Sequence, residues 1–254
     1  MSPVARDWDA ATYDRVSDPQ VAWARGVLDR LAPKGHETVL DAGCGSGRVT
    51  RMLLERLPRG RVIGVDASPS MVEQARANLG EAADVRHVEL TAFDLVEEFD
   101  AVFSNAVFHW VGDHEALFGR LHDALRPGGR LVAQCGGAGN VERFHAAAAQ
   151  VGARQPFAEY LGGWEGPWNF AGAEETDERL AAAGFEEIEV GLEPSPVVPE
   201  PTVEYLRTVC LGHHVERLPE ELRDRYVSEV ADRCGQPVEL DYVRLNIMAR
   251  RPAA

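Results

Sequence analysis

The sequence predicts an α/β fold: a mostly parallel, doubly wound sheet of seven strands carrying helical cap insertions. Three observations carry that expectation. Short apolar runs ending in an acid, Val39-Leu40-Asp41 and Val62-Ile63-Gly64-Val65-Asp66, alternate with amphipathic stretches through the first half of the chain, as strands buried on both faces and joined by crossover helices do. Glycines at 43, 45 and 47 follow the first run and open a helix, which gives a strand, a tight turn with positive φ and a helix start. At 254 residues and 45% hydrophobic content, the chain can bury one large core.

The N-terminal arm, 1–35, has a helical stripe of Trp23, Val27, Leu28 and Leu31. Trp8 and Tyr13 precede it among acids, either as anchors of the arm or as a flap over a ligand. Residues 36–135 are expected to form the half that holds a small ligand over the glycine turn. Thr38 to Asp41 is the first strand, and Val49, Met52, Leu53 and Leu57 are the inner face of the first helix, which stops at Pro58 to Gly60. Arg61 to Asp66 is the second strand; Ser68 caps the next helix with Pro69 at its first position, and Met71, Val72, Ala75 and Leu79 face inward. A third strand is expected over Asp84 to Leu90 and a fourth over Phe99 to Ser104. The run Ala106 to Trp110 is a loop or short turn. A helix from about Asp113 ends at Pro127-Gly128-Gly129, and Arg130 to Gln134 is the fifth strand.

Beyond it, 136–184 and 201–235 read as lid or cap segments and 185–193 and 241–250 as the final strands, all within one domain, 1–254. Within these, Val141 to Val151, Thr202 to Leu211 and Pro219 to Cys234 are expected to be helical.

The formal net charge of −15 argues against nucleic-acid or anionic-membrane partners. With neither a long apolar run nor a signal-like N-terminus, a cytoplasmic protein, monomeric or homodimeric, acting on a small molecule is expected. Cys44, Cys135, Cys210 and Cys234 have no metal-ligand spacing and read as buried thiols, with no metal site.

The chemistry is concentrated in the glycine turn. A dinucleotide fingerprint would place its third glycine at position 48, which is Arg48. Helix N-terminal N–H groups over such a turn suit a small polar ligand. Asp66 stands at the distance along the chain where a carboxylate meets ribose hydroxyls in nucleoside-binding folds.

Asp41-Ala42-Gly43-Cys44-Gly45-Ser46-Gly47, Asp66, Asn105 and Leu125 to Leu131 resemble the motifs of the class I S-adenosylmethionine-dependent methyltransferases, over about 37–135. The resemblance implies a Rossmann-like, seven-stranded sheet with its last strand antiparallel, and S-adenosylmethionine as cofactor. By it, the methionine part lies over Asp41, Gly43, Cys44, Gly45 and Gly47, with its ammonium near Asn105 and Ala106. Ribose meets Asp66, and adenine lies between Ala67, Met71 and the loop of Thr91, Ala92 and Phe93. Thr91 stands where the family usually has an acid, and Asp94 is an alternative partner.

Trp8 with Tyr13, Phe108-His109-Trp110 and Ala183-Gly184-Phe185 also resemble the trans-aconitate methyltransferase subgroup, whose relatives esterify small carboxylic acids. That implies Trp8 and Tyr13 over the cofactor and a lid from the two cap segments. A carboxylate acceptor is ionised near pH 7 and needs no base, whereas a phenol benefits from one. Methyl transfer to a carboxylate oxygen is therefore the first expectation. Phenolic O-, N- or C-methylation assisted by His109, or binding without catalysis, are the alternatives. His109 is the candidate base or donor, or else a packed loop residue. Trp110, Trp164 and Trp168 are candidate walls of the acceptor pocket, and Arg207, Arg143 and His213-His214 candidate partners for a carboxylate.

Overall fold

A computed structural model describes residues 7–93 and 98–253. In chain order it contains α1 (Ala10–Val16), α2 (Asp18–Leu31), β1 (Thr38–Ala42), α3 (Arg48–Glu55), β2 (Arg61–Asp66), α4 (Pro69–Leu79), β3 (Asp84–His87) and β4 (Phe99–Asn105). There follow α5 (His114–Ala124), β5 (Leu125–Gly136), α6 (Glu142–Gly152), α7 (Ala158–Leu161), α8 (Ala173–Ala182) and β6 (Glu186–Pro194). The chain ends with α9 (Thr202–Tyr205), a π-turn over Leu206–Cys210, α10 (Gly212–Arg217), α11 (Glu220–Arg233) and β7 (Val243–Arg250).

The seven strands form one sheet in the order β3-β2-β1-β4-β5-β7-β6. The first five pair in parallel, and β7 runs antiparallel between β5 and β6. Strand order reverses between β1 and β4, so the carboxyl ends of β1, β2 and β4 open a crevice there. Leu40, Ile63, Phe99 and Val102 pack on one face against Leu117 and Leu121 of α5 and Leu180 of α8. On the other, Val39, Val62, Ala101 and Phe103 pack against Val27, Leu28 and Leu31 of α2 and Leu53 of α3. The cap has its own core, in which Phe144, Phe157, Leu206, Tyr226 and Val230 are buried together.

Several elements depart from the sequence pattern for identifiable reasons. β3 ends at His87, short of Leu90, because its partner β2 runs out at the Asp66–His87 pair. β5 begins at Leu125, directly after α5, and its register with β4 jumps between the Phe99–Leu125 and Ala101–Arg130 pairs, so Pro127-Gly128-Gly129 is an excursion within the strand. The expected helix over Thr202 to Leu211 widens into the π-turn, closed by Leu211 N–H donating to the Leu206 carbonyl at 2.7 Å. Trp23, expected in the α2 stripe against the sheet, packs instead toward the cap. Cys44, Cys135 and Cys210 are buried free thiols, and Cys234 is half-buried. No helix among the described residues is long and apolar enough to cross a membrane.

Candidate active site

The β1–α3 turn is held by main-chain bonds. Gly43 and Cys44 N–H groups both donate to the Val65 carbonyl, at 2.8 and 3.0 Å. All three glycines have positive φ, but they serve different ends. A Cβ on Gly43 would lie 2.2 Å from Val107, and one on Gly47 would lie 2.9 Å from Leu79, so these two permit close packing. A Cβ on Gly45 would meet nothing within 4 Å; this is the glycine that faces open space. Cys44 packs behind the turn against Val72, Ala75 and Val85.

Asp66 ties the turn to α4. Its Oδ2 accepts from Gly45 N–H and its Oδ1 from Ser68 N–H, each at 2.9 Å. Burial raises its pKa, against the pull of those N–H bonds. Each oxygen keeps a lone pair for a further donor. Asp41 is buried beneath the turn, where it accepts from Thr50 Oγ1 at 2.7 Å. Burial pushes its pKa up to about 7, opposed by the Thr50 bond and aided by the charge of Asp66.

A cavity of about 740 Å³ runs over this turn, within the range of cofactor and ligand sites. Trp8, Tyr13, Gly43, Gly45, Asp66, Ala67, Met71, Thr91, Asn105 and Ala106 line it. A small recess of about 50 Å³ beneath the turn adds Asp41 and Cys44. Gly47 lies outside both, as a packing residue. Ala92 also lies off the wall, and Phe93 is drawn into the sheet core beside Leu90. Asp94 is outside the described residues.

The N-terminal arm is docked here. The Asp7 carboxylate accepts from Ser68 Oγ and Ser70 N–H at the start of α4, and the Trp8 ring stands edge-on to Tyr13 and Trp110, 5.3 Å from each.

Two buried acceptors, Gln20 Oε1 and Asn105 Oδ1, have no hydrogen-bond partner among the described residues. Both residues line the cavity and its recess. Unpartnered buried acceptors favour a cationic donor, and an ammonium fits them. The strand-end carboxylate fits a ribose diol, and the open face of Gly45 admits the chain between them.

The opposite end of the cavity is built from rings. Phe108–Trp110 forms a single 3₁₀ turn after β4. It is held by Asn169, whose N–H donates to the His109 carbonyl at 2.9 Å and whose side-chain amide reaches the Val111 and Gly112 carbonyls. His109 Nδ1 accepts from Gly136 N–H at 3.2 Å. A backbone N–H can only donate, so the neutral ring carries its proton on Nε2. Burial, then the positive charges of Arg244 and His114, hold its pKa well below the usual histidine range. His109 is thus a neutral hydrogen-bond donor toward the cavity. Trp110 lies 4.9 Å from His109 and 6.3 Å from Trp168, ring to ring, and Trp164 and Trp168 also line the wall.

Arg207 is not there. Its guanidinium pairs with Asp224 of α11, outside the cavity, because the π-turn rotates that position away. Arg143 likewise pairs with Glu239 and Asp241. The buried cation of the site is Arg244, which the sequence reading missed. β7 places it opposite Gly136, the residue whose N–H holds His109.

Arg244 is 2% exposed and has no carboxylate partner among the described residues. Its Cζ lies 4.3 Å from the centre of the Trp23 ring, and its Nε donates to Gln134 Oε1 at 3.3 Å. One terminal nitrogen is buried with no partner. Gln134 is oriented in turn by Asn246, to which its Nε2 donates at 2.7 Å. Arg244 and Asn246 alternate with Leu245 and Ile247, so they resemble a solvated strand face. That face is covered by α2, whose Arg30 reaches Asn246.

The sheet order, the glycine turn bonded to a strand-end carboxylate and the cavity above them define an α/β enzyme that binds a nucleoside cofactor. A methyltransferase-domain model matches residues 39–129. The chain is 32% identical to a trans-aconitate 2-methyltransferase of Variovorax paradoxus over 244 residues, 94% of each chain. It is 39% identical to one of Azoarcus over 127 residues, half of each. Among solved structures it superposes on a phosphoethanolamine N-methyltransferase 2 of Haemonchus contortus in complex with S-adenosylhomocysteine, with a TM-score of 0.60 and 21% identity, over 91% of this chain and 52% of that one. The chain belongs to the S-adenosylmethionine-dependent methyltransferase family that includes the trans-aconitate 2-methyltransferases.

Proposed function

We propose that the enzyme methylates a carboxylate oxygen of a small molecule. The observation that carries this reading is Arg244, a buried guanidinium on the cavity wall with neutral partners and an unpartnered nitrogen. A buried cation of this kind calls for an anion, and a carboxylate answers it. Relatives of the chain are named for trans-aconitate, a carboxylic acid.

S-Adenosylmethionine supplies an activated methyl group when bound. In this reading Asp66 holds the ribose and Gln20 and Asn105 hold the ammonium. Trp8 and Tyr13 cover the cofactor, while Ala67, Met71 and Thr91 border the adenine. Arg244 binds one acceptor oxygen, and the His109 Nε2–H hydrogen-bonds the acceptor so that a lone pair is aimed along the displacement line. The aromatic wall excludes water. No proton is moved, because the acceptor is already ionised.

The phenolic alternative needs a base. His109 does not fill that role in this geometry, since its Nδ1 lone pair is taken by Gly136. The test is a transfer assay with labelled S-adenosylmethionine, a carboxylic acid panel and p-cresol. Base-labile label is expected on acids, with a rate at saturating acceptor that varies less than twofold from pH 5.5 to 8. Burial holds the His109 pKa well below the usual histidine range, which favours the neutral ring. Base-stable label on p-cresol, or a rate that climbs with pH through 6–7, would replace the carboxylate by a phenol.

A further inference from the structure

We infer that the acceptor is a monocarboxylic acid with a flat aromatic body, rather than a di- or tricarboxylate. The inference rests on the carboxylate reading above and concerns the rest of the molecule that the carboxylate belongs to. Its basis is how charge and ring faces are distributed along the cavity.

Charge comes first. Among the described residues lining the cavity the arginines are Arg244 and Arg217, and only the first is buried. Arg217 is exposed at the rim, its Cζ 5.1 Å from the centre of the Trp164 ring. The same wall carries the acids Asp66, Glu89 and Asp113, on a chain of net charge −15. One carboxylate has a buried partner. A second or third on the same acceptor would meet rings, His213 or the rim-exposed Arg217 in place of a buried cation, in the field of an acidic chain. Two of the cavity imidazoles add no compensating charge near neutral pH, since burial holds His109 well below the usual range and His145 down to about 4; the third, His213, has its Nδ1 3.9 Å from the Glu216 carboxylate.

Shape comes second. His109, Phe170, Trp168 and His145 share a common tilt. His109 and Phe170 stack at 5.8 Å and 23°, Phe170 and Trp168 at 6.3 Å and 7°, His145 and Trp168 at 4.3 Å and 33°, and His145 and Phe170 at 5.8 Å and 30°. These rings come from the turn after β4, from α6 and from the cap, yet the planes of neighbouring rings lie only 7° to 33° apart, and Trp110 closes one side. A planar π surface gains most from such a wall, while an aliphatic chain gains only burial and a polyanion loses hydration against it. His109 belongs to this wall and also neighbours Arg244 through the Gly136 rung. A flat body laid on the rings therefore brings its carboxylate to the guanidinium.

The test compares methylation of trans-cinnamate, hexanoate and trans-aconitate, with p-cresol alongside and label assigned by base lability. kcat/KM for cinnamate is expected to exceed that for hexanoate at least tenfold and that for trans-aconitate at least a hundredfold. Trp168→Ala is expected to lower the cinnamate-to-hexanoate ratio about tenfold. No ester from cinnamate, preference for trans-aconitate or hexanoate, or an unchanged ratio in Trp168→Ala overturns the aromatic class. In those cases ester formation on any acid leaves the carboxylate reading standing. Base-stable product from p-cresol with no ester on any acid overturns both.

Discussion

The two ends of the cavity are built on different principles. The turn end is centred on residues close in sequence: Gly43 and Gly45 on one strand-to-helix turn, and Asp66 on the adjacent strand, joined through main-chain N–H bonds. The ring end is made by side chains from widely separated segments: His109 after β4, His145 on α6, Trp168 and Phe170 in the cap and Arg244 on β7. The backbone therefore fixes what the first end binds, and side chains that could change without altering the sheet fix what the second end accepts. An enzyme so divided can keep its methyl donor and change its acceptor.

The division predicts separable losses. The largest is at the ring end. Arg244→Met is expected to lower kcat/KM for a carboxylate acceptor by about 10²–10³, the scale of leaving a desolvated charge without its partner. S-Adenosylmethionine affinity by calorimetry should stay within about threefold. The thermal midpoint should not fall, because a buried, partly unpaired cation is costly to hold. Loss of cofactor binding in this variant would join the two ends. The reciprocal change, Asp66→Ala, is expected to weaken cofactor affinity roughly 10–100-fold, the worth of one or two hydrogen bonds to a charged group, while leaving the ranking of acceptors intact. Unchanged affinity would remove the ribose role of Asp66.

The same division explains what could be read from the sequence. The alternating strands and the glycine turn were legible because each rests on local periodicity or on a conformation only glycine adopts freely. Asp66 was legible because the next strand end is a fixed distance along the chain. Arg244 was not: in a strand with alternating polarity it resembles a solvated residue, and only the placing of β7 between β5 and β6, under α2, buries it. Arg207 failed for the converse reason, since helical periodicity puts it on the cap's inner face and the π-turn rotates it to Asp224. Gln20 was hidden because an unpartnered acceptor is a property of packing rather than of residue type.

The smallest expected effect sharpens the comparison at Asp41, which belongs to the turn end by sequence but lies beneath it in the structure. Its folded pKa of about 7 is raised above the ordinary aspartate value of 3.8. Ionised Asp41 therefore destabilises the fold, fully so above pH 7, and the penalty fades as pH falls from 7 toward 4. Asn is neutral throughout. Asp41→Asn in the absence of cofactor should thus be more stable than the native chain by roughly 1–3 kcal/mol at pH 8, a rise of a few degrees in Tm, with the gain shrinking below pH 7. Near-saturating S-adenosylmethionine should narrow the difference, because the recess lined by Asp41 adjoins the unpartnered acceptors of Gln20 and Asn105, and a bound ammonium there favours the ionised acid. A Tm difference independent of pH would mean that Asp41 stabilises the turn through its Thr50 bond alone, and a difference unmoved by S-adenosylmethionine would leave the ammonium to Gln20 and Asn105 without aid from Asp41.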